Sequence, residues 1–253
     1  MDGTTHDGHD AQDDAGRRFG EVAATYDAVR PGYPPATVAF LVGDARRVLD
    51  LGAGTGKLTR AVAALGREVL AVEPDARMLD VLGARLDVER HVGTAEEIPL
   101  PDASVDAVVV GQAWHWMDED RAGREVARVL RPGGTLGVVW SSRDVSVPWV
   151  RDLGRVLGGG EAPPERAAEP SPGAAFGPPA HHVERWSVPM TADALVDLAL
   201  TRSYVVAAGA ARRAEVAAAV RALCARDDAP RAGTAPHLVD LPYVTDAYVA
   251  RRR

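Results

Sequence analysis

Residues 48–59, Val-Leu-Asp-Leu-Gly-Ala-Gly-Thr-Gly-Lys-Leu-Thr, constrain the fold more than any other part of the chain. Val48, Leu49 and Leu51 form a short apolar run that reads as a buried strand. Gly52, Gly54 and Gly56, with Ala53 between the first two, give a tight turn that lets a backbone approach a ligand closely. Leu58, Ala61, Val62 and Leu65 then carry helical spacing. Strand, glycine turn and helix together open a nucleotide-binding α/β fold.

Three glycine-loop chemistries compete for this turn. A dinucleotide fingerprint needs a third glycine that lets helix and strand pack closely; counted from Gly52, that position is Lys57, a long cation. A nicotinamide oxidoreductase is therefore disfavoured. A phosphate-binding P-loop needs another glycine separated from Gly56 by four residues, and a Ser or Thr after the lysine. Leu51 and Leu58 occupy those positions. What remains is Asp50-x-Gly52-x-Gly54-x-Gly56.

The following segments keep the alternation. Val69–Val72 is a second apolar run ending at Glu73, about where a Rossmann-type second strand places a ribose-binding carboxylate. An ionised carboxylate accepts from both hydroxyls of a diol; the plain alternative is a surface Glu at a strand end. Pro74 and Asp75 start a helix whose Met78 suits an adenine face or the core equally. A third strand around Val88–Val92 leads to Gly93-Thr94-Ala95-Glu96. Val105–Val110 is apolar on both faces, as a central parallel strand is, and runs into Gly111-Gln112-Ala113-Trp114-His115-Trp116. Arg131-Pro132-Gly133-Gly134 then reads as a turn feeding a fifth strand, Thr135–Trp140.

These four landmarks, in this order over residues 19–145, resemble the class I S-adenosylmethionine (SAM)-dependent methyltransferases. The resemblance implies a Rossmann-like α/β fold with a seven-stranded, mostly parallel sheet in the order 3-2-1-4-5-7-6, flanked by helices and carrying a helical cap. It implies SAM as cofactor, with the glycine turn at its methionine portion, Ala95 and Glu96 at adenine, and Asp50, Glu73, Pro74, Met78 and Gln112 in the same site. Tyr26 and Arg30 of the cap suit the cofactor carboxylate. The segments "FGEVAATYDAVRPGYP", "GQAWHWMD" and "LPYVTDAYVAR" are similar to a small-molecule subgroup related to trans-aconitate methyltransferases. That likeness favours a small-molecule acceptor, a carboxylate or a secondary metabolite. A SAM-binding regulatory or accessory protein without transfer activity is the alternative.

His115 is the candidate catalytic base, since histidine titrates near neutral pH; the competing reading is a loop-fixing hydrogen bond. Trp114 and Trp116 alternate, so one suits the substrate and the other the core. Tyr33 is a further candidate for the substrate wall.

Composition narrows the partners. Across 253 residues the net charge is −7 and the pI near 5.5, which disfavours nucleic acid as substrate because phosphate binding calls for clustered basic side chains. Mean hydropathy is −0.12 and no apolar run approaches membrane length. Cys224 is the single cysteine and the N-terminus lacks a signal-peptide pattern, so a cytoplasmic setting is expected. No metal site is expected, the histidines His6 and His9 lying in an acidic, Gly-rich tail. Residues 1–17 read as a disordered tail. Residues 18–253 read as one domain: a cap over 18–45 broken at Pro31 and Pro34-Pro35, a SAM-binding core over 46–145, a lid or insert over 146–180 with Gly158–Pro179 as a mobile loop, and C-terminal strands and helices over 181–253. Oligomeric state leaves no mark in the sequence.

Overall fold

A computed structural model describes residues 31–157, 169–200, 209–233 and 235–253 of the chain. The expected disordered tail, Tyr26, Arg30 and much of the expected loop at 158–168 lie outside the described residues.

The elements follow in chain order as α1 (Pro35–Val42), β1 (Arg47–Leu51), α2 (Lys57–Ala63), β2 (Glu68–Glu73), α3 (Ala76–Gly83), β3 (Glu89–Val92), β4 (Val105–Gly111), α4 (Glu119–Val129), β5 (Leu130–Arg143), α5 (Pro148–Val156), β6 (Ala180–Met190), α6 (Ala192–Leu200), α7 (Ala210–Cys224), β7 (Arg231–Ala232) and β8 (Ala235–Arg251). The sheet order is β3-β2-β1-β4-β5-β8-β6, with β7 paired to β8 off this path. The first five strands are parallel, and β8 runs antiparallel to both β5 and β6. This is the expected seven-strand order, with β8 in the seventh role because a two-residue strand precedes it.

Both sheet faces are covered. Val38, Leu41, Val48, Leu58, Val62, Val109 and Val139 pack on one face, beneath α1 and α2. Leu49, Leu51, Val108, Val110, Val126 and Val138 pack on the other, with α4. A further cluster joins α5, α6 and α7 to β8 through Trp149, Leu153, Val216, Val220 and Leu241, and the Trp149 indole donates to the Leu223 carbonyl at 3.0 Å. Helix starts follow their caps. Asp75 accepts from the Arg77 amide at 2.9 Å and Asp118 from the Arg121 amide at 3.0 Å, each worth about 1 kcal/mol.

Residues 31–34 are non-helical and Pro35 opens α1, where proline at the first helical position loses no hydrogen bond. Local chemistry departs from the sequence expectation at three places. Arg131–Gly134 bulges within β5, the register passing from Val105↔Leu130 to Ala107↔Thr135. Pro242 does not interrupt β8. Its carbonyl accepts from Asp144 at 3.0 Å, so its missing N–H faces the same side, where β5 has already ended at Arg143. Finally, the described part of the expected mobile loop is fastened down. The Ser171 amide donates to Glu119 Oε2 at 3.0 Å, a Cβ on Gly123 would meet the Pro172 carbonyl at 2.1 Å, Phe176 is buried and the Gly177 amide reaches the Arg251 carbonyl at 3.0 Å. The lid reading does not extend to residues 171–177.

Among the described residues, no helix is long and apolar enough to cross a membrane.

Candidate active site

The C-terminal ends of β1, β2 and β4 meet at one edge of the sheet, where open α/β sheets bind ligands. The three turn glycines have φ of +72° at Gly52, +55° at Gly54 and +85° at Gly56, the left-handed region that favours glycine. Each also answers a different steric demand. A Cβ on Gly52 would stand 3.0 Å from Ala113 Cβ, and one on Gly56 would stand 2.6 Å from Leu82 Cγ. Gly52 thus admits the turn after β4, and Gly56 lets α2 pack on α3. At Gly54 the nearest atom is Met78 Sδ at 3.8 Å. That side of the turn is open, and a ligand can approach its backbone there. Ala53 is buried beneath.

Glu73, only 8% exposed, holds the turn from the next strand. Its Oε2 accepts from the Gly54 amide at 3.0 Å and its Oε1 from the Asp75 amide at 3.1 Å. Each oxygen keeps a second lone pair, enough to receive a diol. Glu73→Ala strands two amide donors as well as removing the acceptor, a cost of about 1–3 kcal/mol for each buried donor left without a partner. The expected outcome is a SAM affinity at least about tenfold weaker together with a Tm lower by several degrees, read by calorimetry and thermal melting. Parent-like SAM affinity in this variant would remove Glu73 from the site.

Asp50 lies beneath the turn at 1% exposure. Its Oδ2 accepts from Thr59 Oγ1 at 2.6 Å, while its Oδ1 is buried with no hydrogen-bond partner. Burial pushes this carboxyl up to about 7, against the Thr59 hydrogen bonds that lower it, with the Glu73 charge adding to the rise. An orphaned buried oxygen, an open glycine and a carboxylate with spare lone pairs fit a cationic cofactor carrying a ribose.

The remaining positions gather less evenly. Ala95 is buried in the core behind the β3 loop. Glu96 Oε1 accepts from the Asp118 amide at 3.0 Å; burial raises this carboxyl, but that bond and its other hydrogen bonds, with Arg121 nearby, hold it below its ordinary value. Pro74 is exposed and Met78 half-buried. Gln112 has φ +60°, a conformation costing a non-glycine residue roughly 1–2 kcal/mol. Its amide donates to the Val139 carbonyl at 2.9 Å and its Nε2 to the Ser141 carbonyl at 2.7 Å. Gln112 therefore clamps the end of β4 to β5. Tyr33 lies across the end of β4, its hydroxyl 2.6 Å from where a Gly111 Cβ would stand. The two tryptophans part company: Trp114 is 1% exposed in the core, and Trp116 is 82% exposed. Trp114 thus stands away from the open edge. His115 is exposed and its ring lies 4.8 Å from that of Trp116.

Two arrangements here escaped the sequence reading. Thr245, with no exposed surface, bonds to Ser141 Oγ across the β5–β8 pair and accepts from Trp186 Nε1 at 2.8 Å. Trp140 Nε1 donates to His115 Nδ1 at 3.3 Å. Neither has a local signal, because the partners stand 104, 59 and 25 residues apart.

The chain resembles known proteins over nearly its whole length. A family described as "Methyltransferase domain" matches residues 49–138. An uncharacterized methyltransferase of Mycobacterium tuberculosis is 47% identical over 230 residues, 90% of this chain and 92% of that protein. One from Schizosaccharomyces pombe is 42% identical over 172 residues, 64% of this chain and 68% of that protein. A structure assigned to a type II methyltransferase from Anaeromyxobacter dehalogenans aligns with a TM-score of 0.59 at 31% identity, covering 88% of this chain and 97% of that one. The protein belongs to the class I SAM-dependent methyltransferase family. It is an enzyme, and its cofactor is SAM.

Proposed function

We propose that this methyltransferase acts on a small carboxylic acid, within a small-molecule subgroup resembling the trans-aconitate methyltransferases. The observation that carries the reading is the hydroxyl pair at the end of β5. Thr245 has two side-chain partners and no contact with solvent. One is the Trp186 indole, which only donates. The Thr245 proton therefore goes to Ser141 Oγ, since any other arrangement buries a donor without an acceptor. Ser141 is left with a proton to give, on a half-buried side chain beside Gln112 at the sheet edge. A hydroxyl with a proton to give suits a carboxylate oxygen.

SAM supplies a methyl group already activated on a sulfonium. The chain's contribution is alignment, which recovers roughly 7–11 kcal/mol of barrier for well-oriented reactants. Glu73, Asp50 and the Gly54 backbone would hold the cofactor, with Gln112 clamping β4 to β5 beside it, and Ser141 and Tyr33 would meet the acceptor. A carboxylate is ionised at neutral pH, so no side chain needs to remove a proton from it.

The test is transfer from methyl-labelled SAM to a metabolite pool, followed by alkaline treatment. Label released by alkali is the expected result, because methyl esters saponify. Label that survives, as on nitrogen, carbon or an ether oxygen, refutes the carboxylate reading.

A further inference from the structure

Trp140 Nε1 lies 3.3 Å from His115 Nδ1. An indole nitrogen is a donor and never an acceptor, so the imidazole nitrogen facing it must present a lone pair. In a neutral ring the proton then sits on Nε2. A protonated ring would set two N–H groups against each other. The indole is itself held: Trp140 packs against the core beneath α4, and its ring meets Tyr248 edge-on at 6.1 Å and 77°. His115 leans on Trp116, and among the described residues its Nε2 has no partner.

We infer that Trp140 fixes His115 as the Nε2–H tautomer, so that His115 offers the methyl acceptor a hydrogen-bond donor instead of a proton-accepting nitrogen. The inference rests on the proposal that the acceptor stands at the ends of β4 and β5. Trp140 is a positioning residue, acting only through the ring it orients. A general base at this position needs a bare nitrogen facing the acceptor, and the bare nitrogen here faces the indole. Donation from Nε2 suits an acceptor that arrives already ionised.

The test reads the tautomer directly, without any acceptor. The protein is labelled with 15N, and long-range proton–nitrogen correlations of the His115 ring are recorded as pH is raised until the nitrogen shifts are those of a neutral imidazole. The parent is expected to show a protonated Nε2 and a bare Nδ1. Trp140→Phe keeps an aromatic ring against Tyr248 and removes the N–H, and is expected to show both tautomers in exchange. A parent ring protonated on Nδ1 overturns the inference, as does an unchanged signature in Trp140→Phe. In transfer assays His115→Ala is expected to raise the acceptor's KM at least about tenfold, the size of one charge-assisted hydrogen bond, with kcat within about threefold of the parent. A kcat that collapses and recovers as pH rises would instead reveal a lost base and overturn the donor role. Alkali-stable methyl products would remove the carboxylate reading and leave the tautomer result standing, so the two failures are distinguishable.

Discussion

Gly54→Val is expected to abolish SAM binding in a protein that still folds. Position 54 has φ +55°, so any Cβ costs roughly 1–2 kcal/mol there, and a β-branched side chain costs more because its rotamers are few. That cost lowers Tm by several degrees in a domain of this size. It is not expected to unfold the protein, because the nearest atom to the new Cβ is Met78 Sδ at 3.8 Å, the far part of a flexible side chain. The amide of residue 54 keeps its bond to Glu73. What the isopropyl group fills is the open side of the turn. SAM affinity is expected to fall by more than a factor of about 100, equivalent to roughly 2.7 kcal/mol. Gly56→Val is the contrasting variant. Its Cβ would stand 2.6 Å from Leu82 Cγ, inside the contact between α2 and α3, so stability and binding are expected to fail together. Calorimetry with SAM and thermal melting separate the two cases. Parent-like affinity in folded Gly54→Val would overturn the assignment of this turn to the cofactor.

What is legible in the sequence, and what is not, divides by distance along the chain. The strand–turn–helix unit at residues 48–59 was legible because its signals are local: an apolar run, glycines two apart, then helical spacing. Glu73 could be singled out by its offset from that turn, but its two amide bonds, which make it a structural brace, have no local signal. Trp114 and Trp116 could be divided into one core and one open side chain. Only the short helical turn over Trp114–Trp116, which points the first into the core, decides which is which. Residues 171–177 look like loop by composition, and nothing in Ser-Pro-Gly-Ala-Ala-Phe-Gly announces that Pro172 will lie on Gly123 or that Phe176 will enter the core. The donors at Ser141 and His115 depend on Thr245, Trp186 and Trp140. A polar residue in a strand has no periodicity that names its partner on another strand, and the register that pairs Ser141 with Thr245 exists only once β8 inserts antiparallel beside β5.

The second large effect concerns Asp50 and pH. Its carboxyl is pushed up from 3.8 to about 7 in the folded protein, first by burial and in part by Glu73, despite the Thr59 hydrogen bonds. In the unfolded chain it ionises near its ordinary value of about 3.9. Between those two values the folded state holds a proton that the unfolded state has released. Stability therefore falls as pH rises from about 4 to about 7, and the penalty is complete above that range. About three pKa steps at 1.36 kcal/mol each place an upper bound on the order of 4 kcal/mol on the effect. Asp50→Asn has the shape of the protonated acid, keeps an oxygen for the Thr59 hydroxyl and cannot ionise. Its stability relative to the parent is expected to be near zero at pH 4, to grow through pH 6 and to level off above pH 8, with the variant the more stable protein. The titrating groups other than Glu73, whose charge acts on Asp50, are common to both proteins and cancel in the difference. The gain comes with a loss of function. Above about pH 7, where the Asp50 carboxyl is ionised, its negative charge beneath the Gly52–Gly56 turn complements a cationic cofactor, so at pH 8–9 Asp50→Asn is expected to weaken SAM more than its neutral thioether product, S-adenosylhomocysteine. Denaturant unfolding across pH 4–9 and paired titrations with the two ligands check both statements. Parallel stability curves for parent and variant would show that Asp50 is ionised at no unusual cost. Equal losses for the two ligands would show that its charge does not reach the sulfonium.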